Sequence, residues 1–311
     1  MKEVRTLKEM HFIVVALLIA TMRLCASLEW PTRNELRVKL AASLMAATSY
    51  SATPLIGASH ALDTEEVIRE CGNIEFSLSY IGSGGSGTVF KGIPTGGIKG
   101  SEDPKVVKVS RSASEAGVRK EGVLLRELRE NGVDNIERLV TSCDNMKVRD
   151  GVDGYAIVLE PYLNPPEAPS IASIKDDDDG FLKAKASRAL LKTCIQFISS
   201  NVYLTDLQIL VEPGATGRML VIDLTEAERL HLGEEPKLSF SDKTAISSFL
   251  GECISFVEEA VSKSPNEKVG NRIKAAAIAG IQEGVDSSQR KERLSPEVLE
   301  VIQEYITTRL G

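Results

Sequence analysis

Histidine is nearly absent: the 311-residue chain holds three, His11, His60 and His231. The first two fall in an N-terminal stretch with the character of targeting sequence, which leaves one for a processed protein. A protein with one histidine is poorly equipped for multi-histidine metal centres or for Ser-His-Asp chemistry. The 5 cysteines include no Cys-x-x-Cys pair, which argues against a zinc site. Basic residues are in deficit, 37 against 44 acidic for a net charge of −7, which argues against a nucleic-acid binder relying on a general basic surface. No Asn-x-Ser/Thr sequon occurs, and glycosylation lends no support to an ordinary secretory route. The apolar run Phe12–Ala20 falls short of the roughly 20 residues that a membrane-spanning helix needs. What is present is ordinary: 42% hydrophobic and 26% charged residues can build a packed core, in one large domain or two small ones. Any catalysis would rest on carboxylates, lysine and bound ions.

Lys2, Arg5 and Lys8 precede the apolar run and Cys25, Ala26 and Ser27 follow it, the layout of a secretory signal peptide over residues 1–27. An uncleaved signal anchor is the alternative. Residues 28–61 read as a second targeting segment. Arg33, Arg37 and Lys39 face one acid, Glu35, and an Ala/Ser-rich stretch then runs from Leu40 to Ala61, with Ser59 and Ala61 suited to a cut before Leu62. An ordinary helix over Leu40–Ala61 is the competing reading, although Pro54 interrupts it. Two export-like segments around a basic spacer resemble the layered presequences of thylakoid-lumen proteins in algae with secondary plastids. That resemblance implies a plastid lumenal protein with no membrane span after processing; the alternatives are the secretory-pathway lumen or secretion. Cys71, Cys143, Cys194 and Cys253 would remain. In an oxidising lumen they can pair in three ways, and buried free thiols fit the same spacing.

The richest stretch runs from Ser79 to Gly92. Gly82, Gly84 and Gly87 form G-x-G-x-x-G, and the β-branched and aromatic Thr88-Val89-Phe90 that follow predict a strand rather than the helix of a dinucleotide-binding turn. A glycine-tipped hairpin can lower its backbone amides over phosphates without Cβ collisions. Lys108 comes next, inside the apolar strand Lys105–Val109, where an ammonium demands an anionic partner. Helical spacing of Val118, Val123, Leu124, Leu125 and Leu128 predicts a helix from Ser114 to Glu130, carrying Glu121 as the candidate partner and Glu127 as its rival. Asn135 to Val140 reads as a turn and strand, and Tyr155 to Leu163 as another strand.

In this order the segments resemble the small lobe of a eukaryotic-type protein kinase. Gly82-x-Gly84-x-x-Gly87-x-Val89 matches the glycine-rich loop, Val106-Val107-Lys108 the V-A-I-K strand, and Glu121 the helix-C glutamate. Glu160 and Tyr162 stand at the hinge that holds adenine through backbone groups, after Leu159 at the gatekeeper position. The resemblance implies an α+β, two-lobed kinase-like domain over residues 62–311. Its antiparallel-sheet lobe with helix C covers about 70–163, and a reduced, mainly helical lobe covers about 181–311.

The second half departs from that pattern. Phe181 to Ser200 predicts a long helix, and the catalytic loop should follow. Asp206-Leu207 preserves the D-L pair of H-R-D-L-x-x-x-N, with Leu204 and Thr205 replacing His and Arg; Gln208 is then the nearest candidate for the metal-binding Asn position. Counting back from the strand Ile209-Leu210-Val211 instead places Tyr203 at the aspartate. Asp223-Leu224-Thr225 keeps only the aspartate of D-F-G, and no A-P-E lies between it and Asp242, which the resemblance makes a scaffold residue for the catalytic-loop backbone. Further helices are expected over Lys243–Val261, Ile273–Gln282 and Pro296–Leu310. Asp176 to Asp179 read as a solvated loop, with cation binding as the alternative. The implied activity is ATP- and Mg²⁺-dependent (Mn²⁺ alternatively) phosphoryl transfer to a hydroxyl acceptor of unidentified class. Lys108 and Glu121 would serve the phosphates, Asp223 and Gln208 the metal, and Asp206 the acceptor. The alternative is a pseudokinase acting as a nucleotide-binding or assembly module.

Overall fold

The computed structural model describes residues 67–95, 103–149, 152–163, 170–175, 179–212, 216–231, 238–289 and 293–310. The targeting segments, Asp176 to Asp178 and the start of the 62–311 region lie outside them. Six strands build one antiparallel sheet: β1 (Val67–Cys71), β2 (Ile74–Ser83), β3 (Gly87–Pro94), β4 (Lys105–Ser110), β5 (Arg138–Arg149) and β6 (Val152–Glu160). Their spatial order is β1-β2-β3-β4-β6-β5. The sheet curls until its two edge strands meet, giving a nearly closed barrel. The Cys71–Cys143 disulfide bridges β1 to β5 across that seam, with Cα atoms 5.3 Å apart. Inside, Phe76, Leu78, Phe90, Val107, Val109, Met146 and Val158 form a core of their own. These residues alternate with outward-facing neighbours along each strand, as a pleated sheet requires. The other two cysteines, Cys194 and Cys253, are buried free thiols.

Helix α1 (Glu115–Glu130) crosses the outer face of the sheet, burying Val118, Leu124, Leu125 and Leu128 at spacings of three and four residues. Its core continues through Ile157 and Leu159 of β6 into the helical half of the chain. There α2 (Phe181–Ser199) is the central element: Leu190, Leu191, Ile195, Phe197 and Ile198 are all inaccessible. Helix α3 (Phe240–Ser262) packs on it, with Phe197 and Phe249 edge to face at 6.0 Å. Helix α4 (Glu267–Gln289) lies so close to α2 that a Cβ on Gly280 would stand 2.1 Å from the carbonyl oxygen of Arg188. The small residues of α4 are therefore the reason the two helices can touch. Helix α5 (Pro296–Arg309) begins as expected, with Ser295 as N-cap and Pro296 in the first turn. Between α2 and α3 the chain forms two small antiparallel ribbons. One pairs β7 (Val202–Leu204) with β10 (Ala227–Arg229), the other β8 (Gln208–Val211) with β9 (Met219–Ile222).

The architecture is thus mixed α+β. All described residues belong to one compact unit that starts at Thr64. No helix among the described residues is long and apolar enough to cross a membrane. Helix α4 runs well past the predicted Ile273–Gln282 at both ends. Two strands also exceed expectation: β5 extends through the polar Cys143-Asp144-Asn145, and β1 forms ahead of the predicted start of the sheet.

Candidate functional site

The β2–β3 hairpin is closed by a hydrogen bond from the Gly84 N–H to the Gly87 carbonyl, 2.9 Å. Its glycines serve two purposes. A Cβ on Gly82, Gly84 or Gly85 would meet nothing within 4 Å, whereas one on Gly87 would stand 2.3 Å from the Val109 carbonyl oxygen. The first three keep the hairpin tip bare above a cavity, and the fourth lets β3 pair tightly with β4. The cavity, about 290 Å³, lies between this tip and the β8–β9 ribbon. Val89, Val106, Leu159, Leu163, Leu210 and Ile222 give it apolar walls.

Cross-strand pairing of Val89 with Lys108 puts both on the cavity face. Lys108 is 5% exposed, and its Nζ lies 2.7 Å from Glu121 Oε2 and 2.7 Å from Asp223 Oδ1. The two carboxylates are held in turn: Glu121 Oε1 accepts from the Leu224 N–H at 3.0 Å, and Asp223 Oδ1 accepts from the Thr225 hydroxyl at 2.6 Å. Asp223 itself is left-handed (φ 56°), which turns the chain sharply out of β9 and aims the carboxylate back at β4. Burial works against the Lys108 ammonium, but Glu121 and Asp223 outweigh it and raise its pKa. Burial also opposes the Asp223 charge; Lys108 and Thr225 prevail and hold its carboxyl below the usual range. For Glu121 burial is the largest influence and pushes it up, against Lys108 and the Leu224 N–H. Both donors nonetheless suit an ionised carboxylate, so Lys108 and Glu121 form an ion pair.

Of the residues predicted for the site, Gly82, Gly84, Gly87, Val89, Lys108, Glu121, Tyr162, Gln208 and Asp223 all line the one cavity. Glu127 is not the lysine's partner; it forms a bidentate pair with Arg229. Glu160 contributes no side chain to the cavity, since its carboxylate pairs with Lys105 at 2.6 Å and with Arg138. Its neighbours Leu159 and Tyr162 line the wall on either side. Asp206 is not a lining residue either. It sits beside the mouth, accepting from Gln208 Nε2 at 3.0 Å. Tyr203, the other candidate for that position, hydrogen-bonds Glu228 across the β7–β10 ribbon, away from the cavity. Asp242 corrects an expectation: its carboxylate accepts from the His231 N–H at 3.1 Å and bonds Ser239, so it fastens the chain after β10 rather than the loop around Asp206. Asp179, the described member of the acidic run, lies exposed against Arg272.

One ionisable cavity residue escaped the sequence reading, as did the apolar wall residues Leu163, Leu210 and Ile222. Glu137, just before β5, is 5% exposed and lines the cavity. The sequence signal was weak: Glu137 falls between the apolar Ile136 and Leu139, but Arg138 stands beside it.

Among the described residues no group of three or more His, Cys, Asp or Glu side chains is arranged to hold a metal ion. A Mg²⁺ carried by phosphates asks for less, one or two protein oxygens with phosphate and water completing the octahedron. Asp223 and Gln208 fit that demand: both line the cavity, Lys108 and the Thr225 hydroxyl bond Asp223 through Oδ1, and Gln208 uses Nε2 towards Asp206, which leaves its Oε1 as a cation ligand. No protein-family model matches this chain, and no curated protein sequence matches it.

Proposed function

We propose that this protein is a two-lobed, kinase-like phosphotransferase that binds ATP with Mg²⁺ in the cavity beneath the β2–β3 hairpin. One observation carries the reading: Lys108 is clasped between Glu121 and Asp223 at 2.7 Å each, on the floor of a slot roofed by bare glycines. The slot between Val89 and Leu210 has the apolar walls that a base requires. Phosphates would lie beneath the backbone of Gly82 to Gly87, and the Lys108 ammonium would neutralise them from below. Asp223 and Gln208 Oε1 would hold Mg²⁺, which compensates charge on the transferring phosphoryl group.

In the transfer, an acceptor hydroxyl oxygen bonds to the γ-phosphorus as the bond to the ADP oxygen breaks, and the hydroxyl proton passes to the Asp206 carboxylate. The protein's part is alignment and charge compensation. The place of Asp206 beside the mouth, bonded to Gln208, favours a second reading, in which the nucleotide is held without turnover and the protein acts as a binding or assembly module. The Cys71–Cys143 disulfide supports placement in an oxidising lumen, of which the plastid thylakoid is the one that the two targeting segments favour.

A thermal-shift titration with ATP, with and without Mg²⁺ or Mn²⁺, tests binding. A nucleotide that binds only the native state raises the melting temperature by mass action. The expected result is a Mg²⁺-dependent rise that Lys108→Ala and Asp223→Ala abolish; no rise under any condition overturns both readings. Where a rise is seen, phosphorylation of added or self acceptors that Asp206→Ala abolishes supports the enzyme. An unlabelled wild type supports the binding module.

A further inference from the structure

Glu137 stands in the cavity without a purpose that the fold explains. Its side chain is 95% buried, yet no hydrogen bond from any described residue reaches its carboxyl. A buried, unpartnered carboxyl costs stability unless a ligand or a proton answers it. Two contacts fix its place. Ile136, one residue before it, bridges Val221 of β9, and Arg138, one residue after it, pairs with Glu160 at the end of β6. Glu137 therefore occupies the inner wall, where the sheet meets the β8–β9 ribbon, in a lining that also includes Leu159 and Ile222.

The surrounding charge decides what it can meet. Lys108 is the cation among these lining residues, and Glu121, Asp223 and Glu137 set three carboxyls against it. Even with Glu137 neutral, Glu121 and Asp223 outnumber Lys108, so the local balance disfavours a bare anion and favours a neutral group carrying N–H. Burial, with Glu121 and Asp223 adding to it against Lys108, pushes the Glu137 carboxyl up to about 8. At neutral pH it is therefore mostly protonated, with one donor and one acceptor side by side. An aminopyrimidine edge, an N–H next to a ring nitrogen, is the complement of that pair.

We propose that Glu137 is a specificity-determining residue of the nucleotide pocket, hydrogen-bonding the amino-bearing edge of the base from the inner wall. The inference rests on the ATP reading above and adds to it a side chain that reads the base. Glutamine is its natural mimic, since the amide keeps a donor and an acceptor in the same place, and valine removes both.

The test is calorimetric titration of the wild type, Glu137→Gln and Glu137→Val with ATP and with purine riboside 5′-triphosphate, which lacks only the amino group, all with Mg²⁺. The wild type is expected to prefer ATP by about tenfold or more, the effect of roughly one well-placed buried hydrogen bond. Glu137→Gln should keep that preference within about threefold, and Glu137→Val should reduce it by about fivefold or more. Valine removes a buried polar group without a partner, so its ligand-free melting temperature should rise rather than fall, and the variant remains measurable. A wild-type ratio retained in Glu137→Val, or a wild type without preference, overturns the inference and leaves the ATP reading standing. A wild type that binds neither nucleotide overturns both.

Discussion

Lys108, Glu121 and Asp223 form a cluster in which each charge is tolerated only because of the others. Removing one partner leaves the rest buried and unpaired, a cost of about 3–5 kcal/mol for a buried ion pair. Lys108→Ala should therefore destabilise the protein by roughly that amount in urea unfolding, and adding Glu121→Gln should recover part of it, because the stranded carboxylate is then gone. Two equally unstable variants would show that Glu121 is already neutral in the native state. Glu137 makes the opposite contribution. Its carboxyl is raised from an ordinary 4.5 to about 8 on folding, so between those values the native state binds more protons than the unfolded chain. Stability from this group is complete below about pH 4.5 and is lost as pH rises towards 8, with a slope on the order of 1 kcal/mol per pH unit. Urea unfolding midpoints across that range should fall with pH in the wild type more steeply than in Glu137→Gln, where the titrating group is absent. Parallel curves would mean that Glu137 is not protonated in the folded protein. The strand charge Lys108 was legible in the sequence and Glu137 was not, for a physical reason. A lysine in a β-branched run stands out, while a glutamate beside an arginine at a strand's start looks like a surface pair until Ile136 is seen to tie that point to β9.

At the scale of elements, the glycine hairpin separates fold from function within six residues. Gly87 is needed for pairing, since a Cβ there collides with the Val109 backbone, whereas Gly84 faces open space. Gly87→Ala should cost about 1–3 kcal/mol of stability, as overpacking does. Gly84→Ala should lie within about 0.5 kcal/mol of the wild type and instead weaken the proposed Mg²⁺-dependent ATP response, because its methyl group enters the space where the phosphates are proposed to lie. Unfolding and thermal-shift titration of both variants check the contrast, and an equal loss of stability in the two would remove it. Hairpin and helix patterns of this kind were readable because local chemistry determines them: bare glycines at a tip, β-branched residues after it, apolar residues three and four apart in α1. The polar middle of β5 was not readable. Asp144 and Asn145 have little strand propensity of their own; they form a bulge, with Asn145 at φ 54°, between Cys143, which pairs with Ala156 of β6 and is bonded to β1, and Met146, where pairing with β6 resumes. Tertiary partners overrode local preference there, just as close approach to α2 lengthened α4 beyond its most regular stretch.

For the molecule as a whole, the disulfide and the ion cluster serve different cores. Cys71–Cys143 closes the seam of the barrel, whose interior core is distinct from the one that runs from α1 through the helices. A bridge spanning 72 residues removes much of the freedom of the unfolded chain, about 4–5 kcal/mol in the loop-entropy limit. The double variant Cys71→Ser with Cys143→Ser should accordingly lose about 2–5 kcal/mol in urea unfolding, and added reductant should bring the wild type close to it. Nucleotide affinity, in contrast, should survive in whatever fraction remains folded, because Lys108, Glu121 and Asp223 are held by β4, α1 and the turn after β9 rather than by the seam. Native protein lacking residues 1–61, and with them Cys25, should also resist thiol alkylation: two of its four described cysteines are bonded, and burial, together with a hydrogen bond to Cys194, pushes the Cys253 thiol well up. If reductant left stability unchanged, or if native thiols were alkylated before unfolding, the closed barrel would not be the state in which this protein works, and the case for an oxidising lumen would lose its structural support.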